Sequence, residues 1–295
     1  MHRLRLALLT AVALVLTVAL VHATRSVEAE VAPASGPATA TVPALEPAVI
    51  TDGPPLTLRL MTYNLLGSHH TEPGGMHDEM APSALRSQWG ADLVRDQRAD
   101  VVGMQEVRPE QIAAFQRELP GYDMWPVLAN GSLGRPNQII WNASRFTRLD
   151  AGYVEVPSMG ETRRMPYVLL KDRSTARTFW YFNIHNSPGD RQAERDRDLV
   201  LETAKINELR ADGTPVFLGG DFNETSRAMC TVLARTDLES SAGGIHDGTT
   251  CKAPSGMRID WIFGNGTFSA YAATKPPLAR YATDHWIVAT SVRLD

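Results

Sequence analysis

The chain has 295 residues, of which 43% are hydrophobic and 21% charged, and its formal net charge is −4. This is the composition of a globular protein, with enough chain for one large domain or two small ones. A negative chain lacks the overall basic charge that non-specific nucleic-acid binding usually needs, although a bound cation and a local group of arginines can replace it.

The first 29 residues have the pattern of a secretory signal peptide. Arg3 and Arg5 precede an apolar run at residues 6–21, and small residues follow near Ala23. A basic start, an apolar middle and a small-residue end are typical of export signals. The alternative is an uncleaved membrane anchor, for which the run is short, because a spanning helix needs about 20 apolar residues. We therefore expect a secreted or cell-surface protein.

Residues 30–55 are rich in Ala, Pro and Val and show no clear periodicity. Such a segment buries little apolar surface, and we predict an extended linker. The remaining residues, 56–295, are predicted to form a single folded domain.

Apolar runs within this domain predict strands that alternate with helices. The helical patterns lie at residues 84–98, 110–119 and 191–210. Strands interleaved with a few amphipathic helices indicate a mixed α/β domain. The predicted strands are at residues 58–63, 101–104, 138–141, 167–170, 178–184, 215–218, 259–263 and 286–292.

Polar residues that can bind a metal ion or a phosphate adjoin six of these strands. Residues of this kind at the ends of strands in one sheet are expected to meet in a single site. Carboxylates, amides and imidazoles without a thiolate cluster suit a hard divalent cation and a phosphate ester. The residues are Asn64, Glu106, His185, Asp221 with Asn223, Asp260, and Asp284 with His285.

The segments around these residues carry further expectations. Gly219 and Gly220 precede Asp221, and small residues there are expected to let a substrate approach the backbone. Residues 67–82 are polar and rich in Gly, Pro and His, which predicts a loop at the rim of the site. Its histidines, His69, His70 and His77, are more often solvated loop residues than metal ligands.

Cys230 and Cys251 are the two cysteines of the chain. An even number of cysteines in an exported chain favours a disulfide, and two free thiols are the alternative.

Five short motifs, which occur in a fixed order along the chain, resemble those of a known family. The set resembles the endonuclease/exonuclease/phosphatase superfamily, the relatives of DNase I and the abasic-site endonucleases, over about residues 58–294. The resemblance implies a single-domain, four-layer α/β/β/α sandwich of two packed sheets, with the site at one sheet edge. The motifs are TYN at 62–64, QE at 105–106, GDFN at 220–223, RIDWIF at 258–263 and TDH at 283–285.

The same resemblance implies a role for each residue of the predicted site. Asn64 and Glu106 would hold Mg²⁺, with Asp284 nearby as a further ligand, and Mn²⁺ or Ca²⁺ stay open as alternatives. Asp221 would orient or deprotonate the attacking water, and Asn223 would donate to the phosphate.

Histidines and an arginine complete the implied set. His185 and His285 would contact the phosphoryl oxygens, and Asp260 would accept a hydrogen bond from His285. Arg164 falls where DNase-like members place a phosphate-binding arginine, with Arg163 as the rival by one position.

One departure from the family concerns His185. Many relatives carry a glutamate a few residues before the strand predicted at 138–141, and that glutamate pairs with the first histidine. This chain has Gly-Arg-Pro-Asn at residues 134–137. We therefore expect His185 to lack a charged partner, or Arg135 to bind substrate, and His285 with Asp260 is the better-supported pair.

The predicted function is that of an exported, divalent-metal-dependent phosphodiester hydrolase, a nuclease that cleaves DNA or RNA internally. We expect a monomer with a nucleic-acid substrate and no obligate membrane insertion. A sphingomyelinase-type or inositol-phosphate phosphoesterase is the alternative, although the sequence has no run of exposed aromatic residues that would enter a membrane. A third possibility is a non-catalytic surface binding protein of the same fold.

Overall fold

A computed structural model describes residues 53–256 and 259–295 of the chain. The predicted signal peptide and nearly all of the predicted linker lie outside the described residues. The first strand begins at Leu56.

The described residues form six α-helices, one short 3-10 helix at Ser68–His70 and fourteen strands. The helices are α1 (Ser83–Asp96), α2 (Pro109–Glu118), α3 (Gly131–Gly134), α4 (Gln192–Leu209), α5 (Ser226–Arg235) and α6 (Pro277–Ala282). The strands are β1 (Leu56–Asn64), β2 (Val101–Gln105), β3 (Tyr122–Trp125), β4 (Gln138–Asn142), β5 (Phe146–Ser158), β6 (Glu161–Asp172), β7 (Thr178–His185), β8 (Val216–Asp221), β9 (Glu239–Ser240), β10 (Ile245–His246), β11 (Cys251–Lys252), β12 (Asp260–Gly264), β13 (Thr267–Thr274) and β14 (Ile287–Leu294).

Twelve of the strands build two six-stranded sheets. The first sheet has the order β13-β14-β1-β2-β4-β3, and the second has the order β5-β6-β7-β8-β12-β9. Strands β10 and β11 form a small separate pair. The central pairs β1–β2 and β7–β8 are parallel, so in each pair both strands end at the same sheet edge.

Side-chain alternation along β1 shows how the sheets pack. Leu58 and Leu60 lie in an apolar cluster with residues of the second sheet, whereas Met61 and Tyr63 lie in a cluster with residues of α1 and α2. Successive residues of a strand point to opposite faces, so β1 is buried on both faces. A third cluster joins the outer face of the second sheet to α4 and α5. The predicted four-layer α/β/β/α sandwich is confirmed.

Polar side chains of the second sheet also bond to the first sheet. The Gly103 amide donates to Tyr181 Oη at 3.2 Å, and Gln105 Nε2 donates to Asn183 Oδ1 at 2.6 Å. Asn183 Nδ2 in turn donates to the Met104 carbonyl at 2.9 Å. A Cβ atom at Gly103 would lie 2.7 Å from Asn183 Oδ1. Only glycine at this position allows the sheets to approach closely enough for these buried bonds.

The predicted helices and strands all occur, with boundaries shifted by a few residues. Trp180 and Trp261, which lie inside predicted strands, are buried. The strand prediction missed β3, β5 and β13 and the two-residue strands β9, β10 and β11. At β5 a bulge between Arg148 and Asp150 interrupts the alternation. No helix of the described part of the chain is long and apolar enough to span a membrane.

Cys230 and Cys251 form the predicted disulfide. It links α5 to β11, with Cα atoms 5.7 Å apart and a separation of 21 positions in sequence. The bond therefore ties the small β10–β11 pair to the helix that covers the second sheet.

We predict that breaking this disulfide lowers the free energy of unfolding. A cross-link over a loop of this length stabilises the folded state by about 3 kcal/mol, because it restricts the unfolded chain. Urea unfolding of Cys230→Ser, Cys251→Ser and the double variant measures the loss. The three variants should lose similar amounts. A double variant as stable as the parent protein would contradict the prediction.

Candidate active site

Strand register brings the predicted site residues to one edge of the sandwich. In the first sheet Asn64 at the end of β1 is aligned with Gln105 at the end of β2, and Glu106 follows directly. In the second sheet Asp221 at the end of β8 is aligned with both His185 and Asp260. The two sheets thus present their polar strand ends to the same place.

The side chain of Asn64 connects these two sets of residues. Its amide nitrogen donates to Glu106 Oε1 at 3.0 Å and to Asp221 Oδ2 at 3.1 Å. Its amide oxygen accepts a hydrogen bond from the Leu66 amide at 3.0 Å, which fixes the orientation of the side chain. Because Glu106 and Asp221 belong to different sheets, this one buried amide joins the sheets at the site.

Glu106 is held in its ionised form by the groups around it. Burial favours the neutral acid, but His70, the charge of His185 and the Gly67 amide, together with Asn64, lower the pKa of Glu106 well below its usual range. The Gly67 amide donates to Oε2 at 3.0 Å, and His70 Nε2 lies 3.2 Å from the same oxygen.

Two histidines lie on either side of the buried Asp221 carboxylate. His185 Nε2 and His285 Nε2 are each 3.6 Å from Asp221 Oδ2. The other oxygen, Oδ1, accepts a hydrogen bond from the Asn223 amide at 2.8 Å. The expectation that His185 lacks a charged partner is thus wrong, because Asp221 lies where an acidic partner can serve both histidines.

His285 and Asp260 form a buried pair that carries a proton. His285 Nδ1 lies 3.1 Å from Asp260 Oδ2. Burial alone would lower the pKa of His285, but the hydrogen bond and charge of Asp260 raise it well above its usual range. Asp221, Asp260 and His285 also offer ligand atoms within 4.8 Å of one another, close enough to bind a metal ion.

Three residues beside the site have left-handed backbone conformations. The φ angles are 56° at Leu66, 60° at Glu106 and 48° at Asn223. Non-glycine residues adopt such angles at a cost, and they cluster at functional sites where the surrounding structure holds them. Here they turn the chain sharply after β1, β2 and β8, and the turns after β2 and β8 bring Glu106 and Asn223 to the cavity.

A cavity of about 440 Å³ opens above these residues. Asn64 and Asp260 lie behind its wall. Asn64 orients Glu106 and Asp221 by hydrogen bonds, and Asp260 orients His285. The predicted residues in the wall are Glu106, His185, Asp221, Asn223, Asp284 and His285, and the other lining residues are Leu66, His69, His70, Met76, His77, Arg108, Pro136, Asn137, Ser158, Met159, Arg163 and Pro188.

Arg164, the residue predicted to bind the phosphate, does not reach the cavity. Its Nε donates to Glu155 Oε1 at 3.0 Å and its Nη1 to the Asn130 carbonyl at 3.2 Å. Arg163, the alternative candidate for the phosphate-binding arginine, lines the cavity. Neighbouring residues of a strand point to opposite faces, so a shift of one position decides which arginine reaches the site.

Two other expectations concern residues beside the site. Gly219 and Gly220 face neighbouring strands: a Cβ atom would lie 2.5 Å from Tyr181 Oη at Gly219 and 2.1 Å from the Ile184 carbonyl at Gly220. Their small size serves the packing of β8, and the expectation of close substrate approach there was wrong. Arg135 is absent from the cavity wall, which contains Asn137 instead.

A buried arginine that was not predicted from the sequence holds the loop beside the cavity in place. Arg86 is 1% exposed and donates to the carbonyls of Leu65, Leu66 and Ala282 at 2.7–3.1 Å, and to Thr71 Oγ1 at 3.2 Å. It joins the end of β1, the following loop and the end of α6. Arg86 falls within the apolar face of the helix predicted at 84–98, and this position could have indicated that its charge is buried.

The donor groups of the site fit a hard divalent cation. Glu106 and Asp284 present carboxylates to the cavity, and Asn64 places the Glu106 and Asp221 carboxylates on either side of one amide nitrogen. Carboxylate and amide oxygens are the ligands that Mg²⁺, Mn²⁺ and Ca²⁺ prefer. A cation here would offset the charge of three acidic groups gathered in a small space.

A sandwich with carboxylates, amides and histidines at one edge defines the class of this protein as a phosphoester hydrolase. The profile described as the Endonuclease/Exonuclease/phosphatase family matches residues 61–285. The chain belongs to this family.

Solved structures share the fold at low sequence identity. A family protein from Bacteroides thetaiotaomicron is 21% identical, with a TM-score of 0.66 over 82% of this chain and 97% of that one. The mannosyl-6-phosphatase of the same organism is 21% identical, with a TM-score of 0.62 over 81% and 100%. TDP2 from D. rerio in complex with a single-strand DNA product is 17% identical, with a TM-score of 0.62 over 81% and 99%. No curated protein matches the chain significantly.

Two buried acids on α4 lie behind the site. Glu202 accepts a hydrogen bond from Asn186 Nδ2 at 3.3 Å, and the Asn186 carbonyl accepts one from Asn223 Nδ2 at 2.8 Å. The carboxyl oxygens of Asp198 have no hydrogen-bond partner among the described residues. Burial raises the pKa of Asp198 to about 8 and that of Glu202 well above its usual range.

We predict that these two acids make the protein less stable as pH rises. The folded chain keeps their protons, whereas the unfolded chain releases them above about pH 4. Stability should therefore fall between about pH 4 and 8, by about 1 kcal/mol per pH unit for each acid. The variant Asp198→Asn/Glu202→Gln should lose this dependence in urea unfolding measured from pH 5 to 8. The exposed Asp212→Asn is the matched control. An unchanged pH slope in the double variant would contradict the assignment.

Proposed function

We propose that the chain is an exported, Mg²⁺-dependent phosphodiester hydrolase that cleaves nucleic acid. The observation that carries the proposal is the convergence of Glu106, Asp221 and Asp284 with two histidines on one cavity. Phosphodiester hydrolysis needs charge neutralisation, an aimed water and donors for the phosphoryl oxygens, and this set can supply all three.

The chain's own residues suggest a division of roles. Asp221 is oriented by Asn64 and by the Asn223 amide, which suits it to align and deprotonate the attacking water. Asp260 hydrogen-bonds His285 and raises its pKa, which suits His285 to donate to a phosphoryl oxygen. Asn223 is held by Asn186 at the cavity wall.

A cation held by the cavity carboxylates Glu106 and Asp284 would stabilise the negative charge that develops on the phosphoryl group. Asn64, whose amide oxygen accepts a hydrogen bond from the Leu66 amide, would orient Glu106 and not bind the ion itself. Arg163 and Arg108 also line the cavity. Either can pair with a phosphate oxygen, and we transfer to Arg163 the role predicted for Arg164.

The size of the cavity favours a second candidate, a small phosphate ester. About 440 Å³ accommodates a phosphate with one or two attached groups, and a net charge of −4 offers no broad basic surface for a duplex. A structure with this fold belongs to a mannosyl-6-phosphatase, and another binds a single-strand DNA product. A sugar phosphate and a single-strand end are thus the two substrates to compare first.

A sphingomyelin substrate has less support. The exposed aromatic residues among the large hydrophobic side chains of the described segments are Tyr153 and Tyr281, which lie on different elements. They form no aromatic hairpin of the kind that enters a membrane. Export follows from the signal-like pattern of the first 29 residues, and a monomer suffices because one chain supplies the whole site.

We predict that Asp221→Ala and His285→Ala each reduce hydrolysis by roughly 10²-fold or more, as expected when an acid/base or electrostatic group is lost. Initial rates on a phosphodiester substrate measure the effect. Asp212→Ala and His246→Ala are matched controls, because both residues lie away from the cavity. Circular dichroism checks that the variants fold. Unchanged turnover in both site variants would exclude a catalytic role for this cavity.

We also predict that EDTA abolishes activity and that Mg²⁺ restores it, because Glu106 and Asp284 need a cation to neutralise them beside a phosphate. Plasmid DNA, single-stranded DNA, RNA, mannose 6-phosphate and sphingomyelin are compared with Mg²⁺ and with EDTA. Metal-dependent cleavage of nucleic acid supports the proposal, and release of phosphate from the sugar alone supports the second candidate. Full activity after exhaustive chelation would contradict the metal requirement.

A further inference from the structure

We propose that Met159, at the tip of the hairpin between β5 and β6, contacts the base of a nucleotide whose phosphate meets the polar side chains of the cavity. Met159 would then be a specificity-determining residue, and Glu194 on α4 would be the residue that positions it. The inference deepens the proposed function and rests on it only in that the substrate brings a phosphate group into this cavity.

The hairpin turn has a methionine where asparagine or glycine is usual. Ser158 pairs with Glu161, so Met159 and Gly160 form a two-residue connection. Their φ angles are 55° and 80°, and a turn with two positive φ angles strongly prefers asparagine, aspartate or glycine at its first position. A longer side chain in this conformation costs free energy. This cost indicates that the methionine side chain has a role outside the turn.

Met159 is also exposed to solvent at the cavity. Nine large hydrophobic residues are exposed in the described part of the chain, and two of them line the cavity. Both are methionines, Met76 at 74% exposure and Met159 at 54%. Leu66, Pro136 and Pro188 add further apolar surface to the same cavity. A ligand with an apolar group would gain free energy by covering this surface.

Charged residues of the same cavity define the other part of the ligand. Arg163, which follows the turn on β6, and Arg108 line the cavity, and guanidinium groups pair well with phosphate oxygens. A ligand that meets both sets of residues is an anion joined to an apolar group. A nucleotide has this form because its base has an apolar face, whereas a hexose phosphate carries hydroxyl groups around its ring.

Thioether side chains suit a flat aromatic ring. The sulfur of methionine is polarisable and makes favourable contacts with aromatic rings, and the flexible side chain adapts to the group that it meets. The imidazoles of His69 and His70 line the same cavity, with ring centroids 3.9 Å apart, and add aromatic surface. The apolar part of this cavity therefore favours a base over an unbranched alkyl group.

Glu194 holds the hairpin turn in place. Its Oε2 accepts a hydrogen bond from the Met159 amide at 2.8 Å, and its Oε1 accepts one from the Gly160 amide at 3.1 Å. The Ser187 hydroxyl and Arg191 Nη1 donate to the same carboxylate. Both amides of the turn are thus fixed to α4, so binding does not have to order the hairpin, and Met159 is preorganised beside the cavity.

The test compares two ligands that differ only in the base, thymidine 5′-phosphate and deoxyribose 5-phosphate. Isothermal titration calorimetry measures their binding with EDTA and with Mg²⁺, and a phosphate assay verifies that the ligands stay intact. The variants are Met159→Gln and Met159→Leu. Glutamine matches methionine in length and leucine stays apolar, and neither is branched at Cβ, so the turn has a similar backbone cost in all three proteins.

Leu149→Gln is the matched control, because Leu149 is an exposed residue of β5 that is absent from the cavity wall. Thermal unfolding verifies that each variant folds. We expect Met159→Gln to weaken thymidine 5′-phosphate binding by roughly 5-fold or more and to change deoxyribose 5-phosphate binding by less than about 2-fold. Met159→Leu should retain most of the affinity, and Leu149→Gln should match the parent.

Glu194→Ala tests the positioning role. Without the carboxylate, the turn is no longer fixed to α4, so thymidine 5′-phosphate should bind more weakly. Adding Met159→Gln to Glu194→Ala should then cause little further loss, because the two residues act through the same contact. Additive losses in the double variant would overturn the positioning role of Glu194.

Three results would overturn the contact between Met159 and a base. They are equal affinity of the parent for the two ligands, an unchanged affinity for thymidine 5′-phosphate in Met159→Gln, and no binding of thymidine 5′-phosphate in either condition. The proposed function fails separately. Base-dependent binding by a protein that hydrolyses no phosphodiester would overturn that function and retain this inference.

Discussion

The hydrogen bonds of one buried amide, that of Asn64, hold the site together. Its nitrogen bonds Glu106 of the first sheet and Asp221 of the second, so the relative position of the two carboxylates depends on the packing of the two sheets. Breaking this contact would leave two acidic groups close together without their shared donor, which is costly in a buried place. The hydrogen bonds of Gln105, Asn183 and Tyr181 join the two sheets beside the site. They therefore keep the distance between Glu106 and Asp221 fixed.

The chemistry of the site follows from this shared support. Asp221 is bonded on one oxygen by Asn64 and on the other by the Asn223 amide, while His185 and His285 flank it. Asp260 holds the His285 imidazole from behind. Each reactive side chain therefore has an oriented neighbour, and little rearrangement is needed to receive a phosphoryl group. The left-handed residues Glu106 and Asn223 show that the chain accepts backbone strain to achieve this arrangement.

The loops around the cavity are the part of this protein in which sequence and side-chain chemistry can differ most from those of its relatives. The solved structures that share the fold are no more than about a fifth identical to it, and loops choose the substrate on a common scaffold. Here the loop at residues 67–82 is ordered by Arg86 and projects His70 and His77 toward the acidic centre. Behind the opposite wall, α4 places Asp198 and Glu202 in a buried environment that connects to Asn223 through Asn186. The pH dependence of stability can thus depend on features outside the family motifs.

Much of the fold and most of the candidate site could be predicted from the sequence, because local patterns carry that information. Apolar runs predicted β1, β2, β7, β8 and β12. A polar residue at or after the end of β1, β2, β7 and β8 and another at the start of β12 predicted one site, since parallel neighbours end, and an antiparallel neighbour begins, at the same sheet edge. Other features depended on contacts between distant segments. To choose between Arg163 and Arg164, one must know the register of β6 and which of its faces reaches the cavity. To identify Asp221 as the partner of His185, one must know the distance between β7 and β8. Arg86 and the His70–Glu106 and His77–Asp284 contacts also arise only in the folded chain, because they join residues that are far apart in sequence. The sequence by itself determined the kinds of chemical groups available and the strands that carry them, while the tertiary structure decided which of those groups meet.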